Sequence, residues 1–229
     1  MTFRRNELVG AQKNVLFVVT NHTKITDDHK TGLWLEEFAV PYLVFKDKGY
    51  NVKVTSIEGG EVPLDPNSIE DKPEWKAAED ELKNTSKLSK DDAGQFDAIF
   101  LPGGHGTMFD FPENETLLSI LQQFAEEEKV IGSVCHGPAG LVNVTYKDGT
   151  PFVKGKTLTA FTDEEEVDMQ LDIHMPFLLE TKLREKGANF VRDEKWSDFS
   201  VRDGQLVTGQ NPQSSQSAAL KVVEALETV

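Results

Sequence analysis

The residues whose types and spacing best suit chemistry are Cys135 and His136. Cys135 is the one cysteine of the sequence, and it closes the apolar run Lys129-Val-Ile-Gly-Ser-Val just ahead of His136, Gly137 and Pro138. A β-branched run that ends in a turn and re-enters a short helix is the setting of a nucleophile elbow, where a tight bend holds a side chain above a sheet. The N–H groups of such a turn and helix start lower a thiol pKa and favour the thiolate. The competing reading is a small buried hydrophobe, a common fate of free cysteine, and the neighbouring His, Gly and Pro weigh against it. His136 can act as a base once a carboxylate orients its ring. Adjacent side chains at an elbow diverge, so His136 need not touch the sulfur, and its bland alternative is a surface histidine at a helix start.

Three other pieces could complete a site. Pro102-Gly103-Gly104-His105-Gly106 lets the backbone approach a ligand and aim N–H groups inward, as an oxyanion hole requires. It lacks the Lys-Ser/Thr ending of a phosphate loop and the spacing of a dinucleotide fingerprint, and a plain strand-to-helix turn would read the same way. Glu37 lies beside the apolar stripe of a helix, either solvated at its edge or buried with a raised pKa, in which case its protonated form could donate a hydrogen bond to a thiolate. Glu164, Glu165 and Glu166 suit an acidic helix start, and spacing does not choose among them. A metal held by His105, His136 and Glu37 finds no support in ligand spacing, so no metal is expected.

These residues need a scaffold, and the hydrophobic pattern supplies one. Residues 15–19 form a short apolar run typical of a strand buried on both faces. Residues 33–48 switch to helical spacing through Leu35, Phe38, Ala39, Tyr42 and Phe45, and residues 51–56 return to a strand. Strand, helix and strand in that order require a parallel sheet. The stretch of about 57–95, rich in Gly, Pro and charge, reads as an insertion with a short exposed helix inside 75–87. The rhythm resumes with a strand at 97–101, a helix at about 114–127 capped by Asn114 and a strand at 129–134. A hairpin is expected over 145–160 with a strand at 156–161, and a helix interrupted by Pro176 over about 175–187. A second hairpin turns at Asp203-Gly204, and a final helix spans about 214–227. The expected fold is α/β, a doubly wound, mostly parallel sheet with helices on both faces, plus the insertion and hairpins, in a single domain over 1–229. Sites in such sheets form at the carboxyl ends of strands, where the loop 20–32 (with His22 and His29), the Gly-rich loop and Cys135 would converge.

Composition bounds the function. The 229 residues carry 24 basic and 39 acidic side chains, a net charge of −15, which disfavours phosphate backbones and anionic headgroups; no nucleic acid and no membrane are expected as partners. One cysteine forms no internal disulfide, consistent with a reducing compartment. The start MTFRRNELVGAQKN is too polar for a signal peptide, and no run approaches the ~20 apolar residues of a membrane span. The expected location is cytoplasmic.

Cys135-His136-Gly137-Pro138, taken with Leu101-Pro-Gly-Gly-His-Gly106, resembles the ThiJ/PfpI superfamily, which has a flavodoxin-like, class I glutamine amidotransferase-like fold. Thr31-Gly32 to Glu37 with Pro41, Leu158-Thr-Ala-Phe161 with its acidic tail, and Leu206-Val-Thr-Gly-Gln-Asn-Pro212 extend the resemblance over nearly the whole chain. Within the superfamily the sequence is most similar to the glyoxalase III and heat-shock chaperone branch. The resemblance implies Cys135 as nucleophile, His136 as its partner, Glu166 as the acidic third member, and Glu37 as a buried acid bonded to the thiol. The run of three glutamates leaves Glu165 in competition with Glu166. Gly104 and His136 would supply oxyanion-hole N–H groups, and His105 would line the pocket. The implied activity is cofactor-independent conversion of a small 2-oxoaldehyde such as methylglyoxal to a 2-hydroxy acid, D-lactate, by a homodimer. Reversal of early glycation would use the same thiol. The alternatives are a cysteine amidase or peptidase, a holdase chaperone, and a redox sensor in which Cys135 is oxidised. A synthetase-coupled glutaminase fits less well, because that class draws its His from near the C-terminus and no His follows His174.

Overall fold

The computed structural model describes residues 12–228. The polar start weighed above against a signal peptide lies, through residue 11, outside the described residues. The βαβ unit is built from β1 (Asn14–Val19), α1 (Leu35–Asp47) and β2 (Asn51–Ser56). There follow β3 (Ser86–Lys87), β4 (Ala98–Leu101), α2 (Glu115–Glu126), β5 (Val130–Val134), α3 (Asp163–Asp168), α4 (Leu179–Glu185), β6 (Ser200–Asp203), β7 (Leu206–Gly209) and α5 (Ser215–Glu227). The seven strands lie in the order β6-β7-β5-β4-β1-β2-β3. All pair in parallel except β6, which is antiparallel to β7.

Alternation along the strands divides the core into two layers. Val15, Phe17 and Val19 of β1 pack with Phe100 and with α1 and α5 through Phe38, Phe45 and Val222. Leu16 and Val18 face the other way, with Ile99, Leu101 and the α2 and α4 residues Leu121, Phe124 and Leu183. Helices on both faces make the sheet doubly wound. Phe17 anchors the first layer, 5.1 Å from the Phe38 ring edge-on and 5.3 Å from Phe100, a geometry that adds to simple area burial. Gly132 of β5 lets α5 close down, since a Cβ there would meet Val222 at 2.6 Å and the Phe100 ring at 2.7 Å.

The sheet grows to one side through β2 and β3 and to the other through β4, β5 and β7. Its switch point falls between β1 and β4, and the loops after β1, β4, β5 and β7 share one edge. Asn114 caps α2 as expected, accepting a hydrogen bond from the Leu117 N–H at 2.9 Å.

Three sequence expectations change. The short helix Lys76–Glu81 is not free in solvent: Trp75, Ala78 and Leu82 are buried against the α1 layer, and the same segment adds β3 to the sheet edge. Residues 145–160 are not a hairpin. The Lys147-Asp148-Gly149 turn is closed by the single bridge Thr145–Pro151, and Thr157–Leu158 pairs in parallel with Asn189–Phe190. A turn signal marks a reversal but does not choose the partner strand. The helix expected from 175 begins only at Leu179, after a one-turn 3-10 segment at Asp172–His174; Pro176 bars the preceding residue from helical geometry.

Candidate active site

Cys135 follows β5 with φ +59°, a left-handed conformation that costs a non-glycine residue about 1–3 kcal/mol. Two backbone bonds hold it there: its N–H donates to the Gly209 carbonyl, and its own carbonyl accepts from the Phe161 N–H, both at 2.9 Å. The 3-10 turn Gly137–Leu141 follows directly. The bend puts Sγ 3.3 Å from Nδ1 of His136, so the two neighbouring side chains meet where divergence was expected. His136 is 1% exposed, which removes the surface-histidine reading.

Nε2 of His136 donates to Oε2 of Glu166 at 2.6 Å, and Nε2 of His105 donates to Oε1 of the same carboxylate at 2.5 Å. The two imidazoles lie 4.0 Å apart. Burial opposes ionisation of Glu166, but the two histidines outweigh it and hold the carboxyl well below its usual range. Burial, then His105, pushes His136 down, so its ring is neutral at physiological pH. With Nε2–H engaged by Glu166, the lone pair left on Nδ1 faces the sulfur. His105, His136 and Glu166 are also the residues whose ligand atoms could gather around a metal. Glu37, grouped with the histidines at the sequence level, is not among them.

The three glutamates of α3 point to three environments. Glu164 is exposed and pairs with Arg192 at 2.6 Å. Glu165 is buried and saturated: it forms a capping box with Thr162 and accepts from the Trp196 N–H (2.8 Å), Gln210 (3.1 Å) and Asn211 (2.8 Å). Glu166 alone reaches the histidines. Thr162 fixes the helix start, and the turn per residue then aims each carboxylate in its own direction.

Glu37 is fully buried, not solvated at the helix edge. Oε2 accepts the Gly103 N–H at 2.7 Å, while Oε1 has no nitrogen or oxygen partner and the carboxyl interacts with the Cys135 thiol. Burial pushes Glu37 up to about 8, against the pull of the thiol and the Gly103 N–H, so it carries its proton at neutral pH. Burial, the largest cause, pushes the Cys135 thiol up as well. This corrects the expectation of a resting thiolate: desolvation outweighs the turn's amide dipoles, and the sulfur is a thiol until a base takes its proton.

Gly103 has no room for a side chain, since a Cβ would meet Glu37 Oε2 at 2.6 Å and the His136 nitrogen at 2.7 Å. Gly104 has φ +95°, and a Cβ there would meet the Gly32 carbonyl at 2.2 Å. Among the described residues, neither the Gly104 nor the His136 N–H has an acceptor. Thr107 ties the two loops together, donating to the carbonyls of Gly104 and His136 at 2.9 Å each.

These groups open on a cavity of about 240 Å³ lined by Trp34, Glu36, Glu70, Gly104, His105, Cys135, His136, Phe161, Met169, Trp196, Pro212 and Gln213. That is below the usual range for drug-sized ligands. A larger cavity of about 480 Å³ lies at the other end of the sheet, near Lys129 and Gln205, away from these groups. His22 and His29 do not border the site; His22 stacks on Phe109. Sequence reasoning missed Trp34, Met169, Trp196, Glu70 and Gln213. A tryptophan set in the polar stretch 193–198 was the one available signal.

The model of the DJ-1/PfpI family matches residues 30–225. The chain belongs to that family. It is 37% identical to glyoxalase 3 of Candida albicans over 93% of this chain and 98% of that protein. It is 32% identical to the glutathione-independent glyoxalase HSP31 of Saccharomyces cerevisiae, over 95% and 99%. The crystal structure of glyoxalase III from Candida albicans superposes with a TM-score of 0.82 at 30% identity, covering 95% of this chain and 98% of that one. No helix among the described residues is long and apolar enough to cross a membrane.

Proposed function

We propose that this chain is a glutathione-independent glyoxalase, converting methylglyoxal and water to D-lactate with Cys135 as nucleophile. The observation that carries the reading is the relay from Cys135 Sγ to His136 Nδ1 and from His136 Nε2 to Glu166, set under a small cavity with two unengaged N–H groups. The glyoxalase names of relatives that share nearly the whole length support it.

His136 takes the thiol proton as sulfur adds to the aldehyde carbon, giving a hemithioacetal whose oxygen is received by the Gly104 and His136 N–H groups. His136 returns that proton to the hemithioacetal oxygen and then takes the proton on C1, leaving an enediolate whose hydroxyl proton passes from O1 to O2. Return of a proton to C2 yields a 2-hydroxy thioester. Water cleaves the thioester, releasing the 2-hydroxy acid and restoring the thiol. Glu166 keeps His136 oriented and stabilises its protonated form, as the acid of a catalytic triad does. His105 holds the second oxygen of Glu166. These groups together account for each proton transfer.

A cysteine peptidase would need the same relay, but an extended peptide does not enter a cavity of about 240 Å³. Cytoplasmic residence and a homodimeric assembly belong to the same reading and rest on the family resemblance. The purified protein should form D-lactate from methylglyoxal with no glutathione present, and Cys135→Ala should not. Equal D-lactate formation by the two proteins would reject the assignment.

A further inference from the structure

The cavity has a charged rim that the proposed chemistry leaves unused. Glu36, half-buried in the first turn of α1, and Glu70, on the segment between β2 and β3, both line it. Lys72 stands beside them, its Nζ 2.8 Å from Glu70 and 3.9 Å from the centre of the Trp75 ring. Burial pushes the Glu36 carboxyl up, with Lys72 drawing it back and Glu70 adding to the rise, so all three charges sense one another. The two carboxylates that line the cavity outnumber the one ammonium beside them. No lysine or arginine lines the cavity among the described residues, although a site built for an anionic substrate would present one. The −15 charge of the whole chain has the same sign.

We propose that Glu36 and Glu70 determine specificity, admitting uncharged aldehydes, turning away those that carry a carboxylate, and hastening departure of the carboxylate product. The substrate class deepens the glyoxalase reading and rests on it; the field itself acts on any reagent that reaches the sulfur. Low-dielectric walls focus such a field. One uncompensated charge several ångströms from the entry path changes the encounter of an anion roughly threefold to tenfold at low salt.

Because Cys135 is the one cysteine of the sequence, alkylation reads the rim directly. Iodoacetamide and iodoacetate both form a sulfur–CH₂ bond and expel iodide, and they differ in charge. The ratio of their rates, followed by intact-protein mass spectrometry near neutral pH, cancels changes in sulfur reactivity. The iodoacetate-to-iodoacetamide ratio should fall in Lys72→Met, rise in Glu36→Gln, and rise further in Glu36→Gln/Glu70→Gln, by roughly threefold to tenfold per charge. High salt should compress the series. Glu224→Gln, an exposed carboxylate on α5 outside the cavity, should leave the ratio unchanged. A ratio indifferent to the rim variants, or one that Glu224→Gln moves equally, overturns the proposal. Opposite responses of Lys72→Met and Glu36→Gln cannot arise from misfolding. D-lactate formation from methylglyoxal by the same proteins, measured beside the alkylation series, separates the two claims. If wild type makes no D-lactate, the glyoxalase reading fails even where the alkylation series holds, and the substrate claim falls with it. If wild type makes D-lactate but the series is flat, only the rim proposal fails.

Discussion

Cys135 occupies a backbone conformation suited to glycine, and the strain is sustained by the bonds to Gly209 and Phe161. Cys135→Gly should therefore be more stable than Cys135→Ala, by about 1 kcal/mol, although neither retains the sulfur. Urea unfolding of the two variants checks this, and equal midpoints would mean that the bend carries no strain. Glu37 offers a second test at the same scale. In the folded protein it keeps its proton up to about 8, against an ordinary value of 4.5. Between those values the folded state binds more protons than the unfolded chain, so this group's contribution to stability is full below the lower value and declines as pH rises toward the upper one. Glu37→Gln, which cannot ionise, should lose less stability than wild type between about pH 5 and pH 8. Identical pH profiles would show that Glu37 is not held protonated.

At the scale of elements, α3 distributes three adjacent carboxylates among three tasks. Glu164→Gln should change stability by less than about 0.5 kcal/mol, since it removes one exposed ion pair. Glu165→Ala strands buried donors on Trp196, Gln210 and Asn211 and should cost on the order of 3 kcal/mol. Glu166→Gln should cut turnover by about a hundredfold or more through disorientation of His136, measured as kcat with methylglyoxal. A series in which Glu165 rather than Glu166 controls turnover in well-folded protein would contradict these assignments. The elements themselves were legible because periods of two and of 3.6 residues reflect which faces are buried: residues 15–19, 33–48 and 114–127 announce β1, α1 and α2. The choice among Glu164, Glu165 and Glu166 was not legible. It depends on how a helix capped by Thr162 docks, and each residue turns by about 100° from the last. The partner of Thr157–Leu158 was hidden for a similar reason, because Asn189–Phe190 lies about thirty residues away and no local pattern records that pairing.

For the whole molecule, the site exists because distant stretches meet at one edge of the sheet: the start of α1, the turn after β4, the bend after β5, α3, and the loop after β7. Pro212 and Gln213, just before α5, line the cavity, so the seating of α5 on β5 and the shape of the site are linked. Gly132→Val would push against Val222 and Phe100 and should destabilise the protein by about 1–3 kcal/mol, seen as a lower thermal midpoint. An unchanged midpoint would mean that the α5 contact relaxes at no cost. The convergence of Cys135, His136 and the Gly-rich loop could be anticipated from the order of strands, since parallel strands bring their carboxyl ends together. The ionisation of the thiol could not, because it depends on burial within the assembled core. Rim residues such as Glu70 and Trp196 were also beyond reach, as they sit on segments without periodicity whose position the rest of the fold dictates.

The central claim is that the Cys135 sulfur bonds to the aldehyde carbon during turnover. Acid quenching of the protein with excess methylglyoxal in the first turnovers, followed by intact-mass and peptide mass spectrometry, tests it. The expected result is a transient mass increase of one methylglyoxal unit on the peptide containing Cys135, disappearing as D-lactate accumulates and absent from Cys135→Ala. D-lactate formation at the wild-type rate by Cys135→Ala, with no adduct on wild type at any time, would contradict the account.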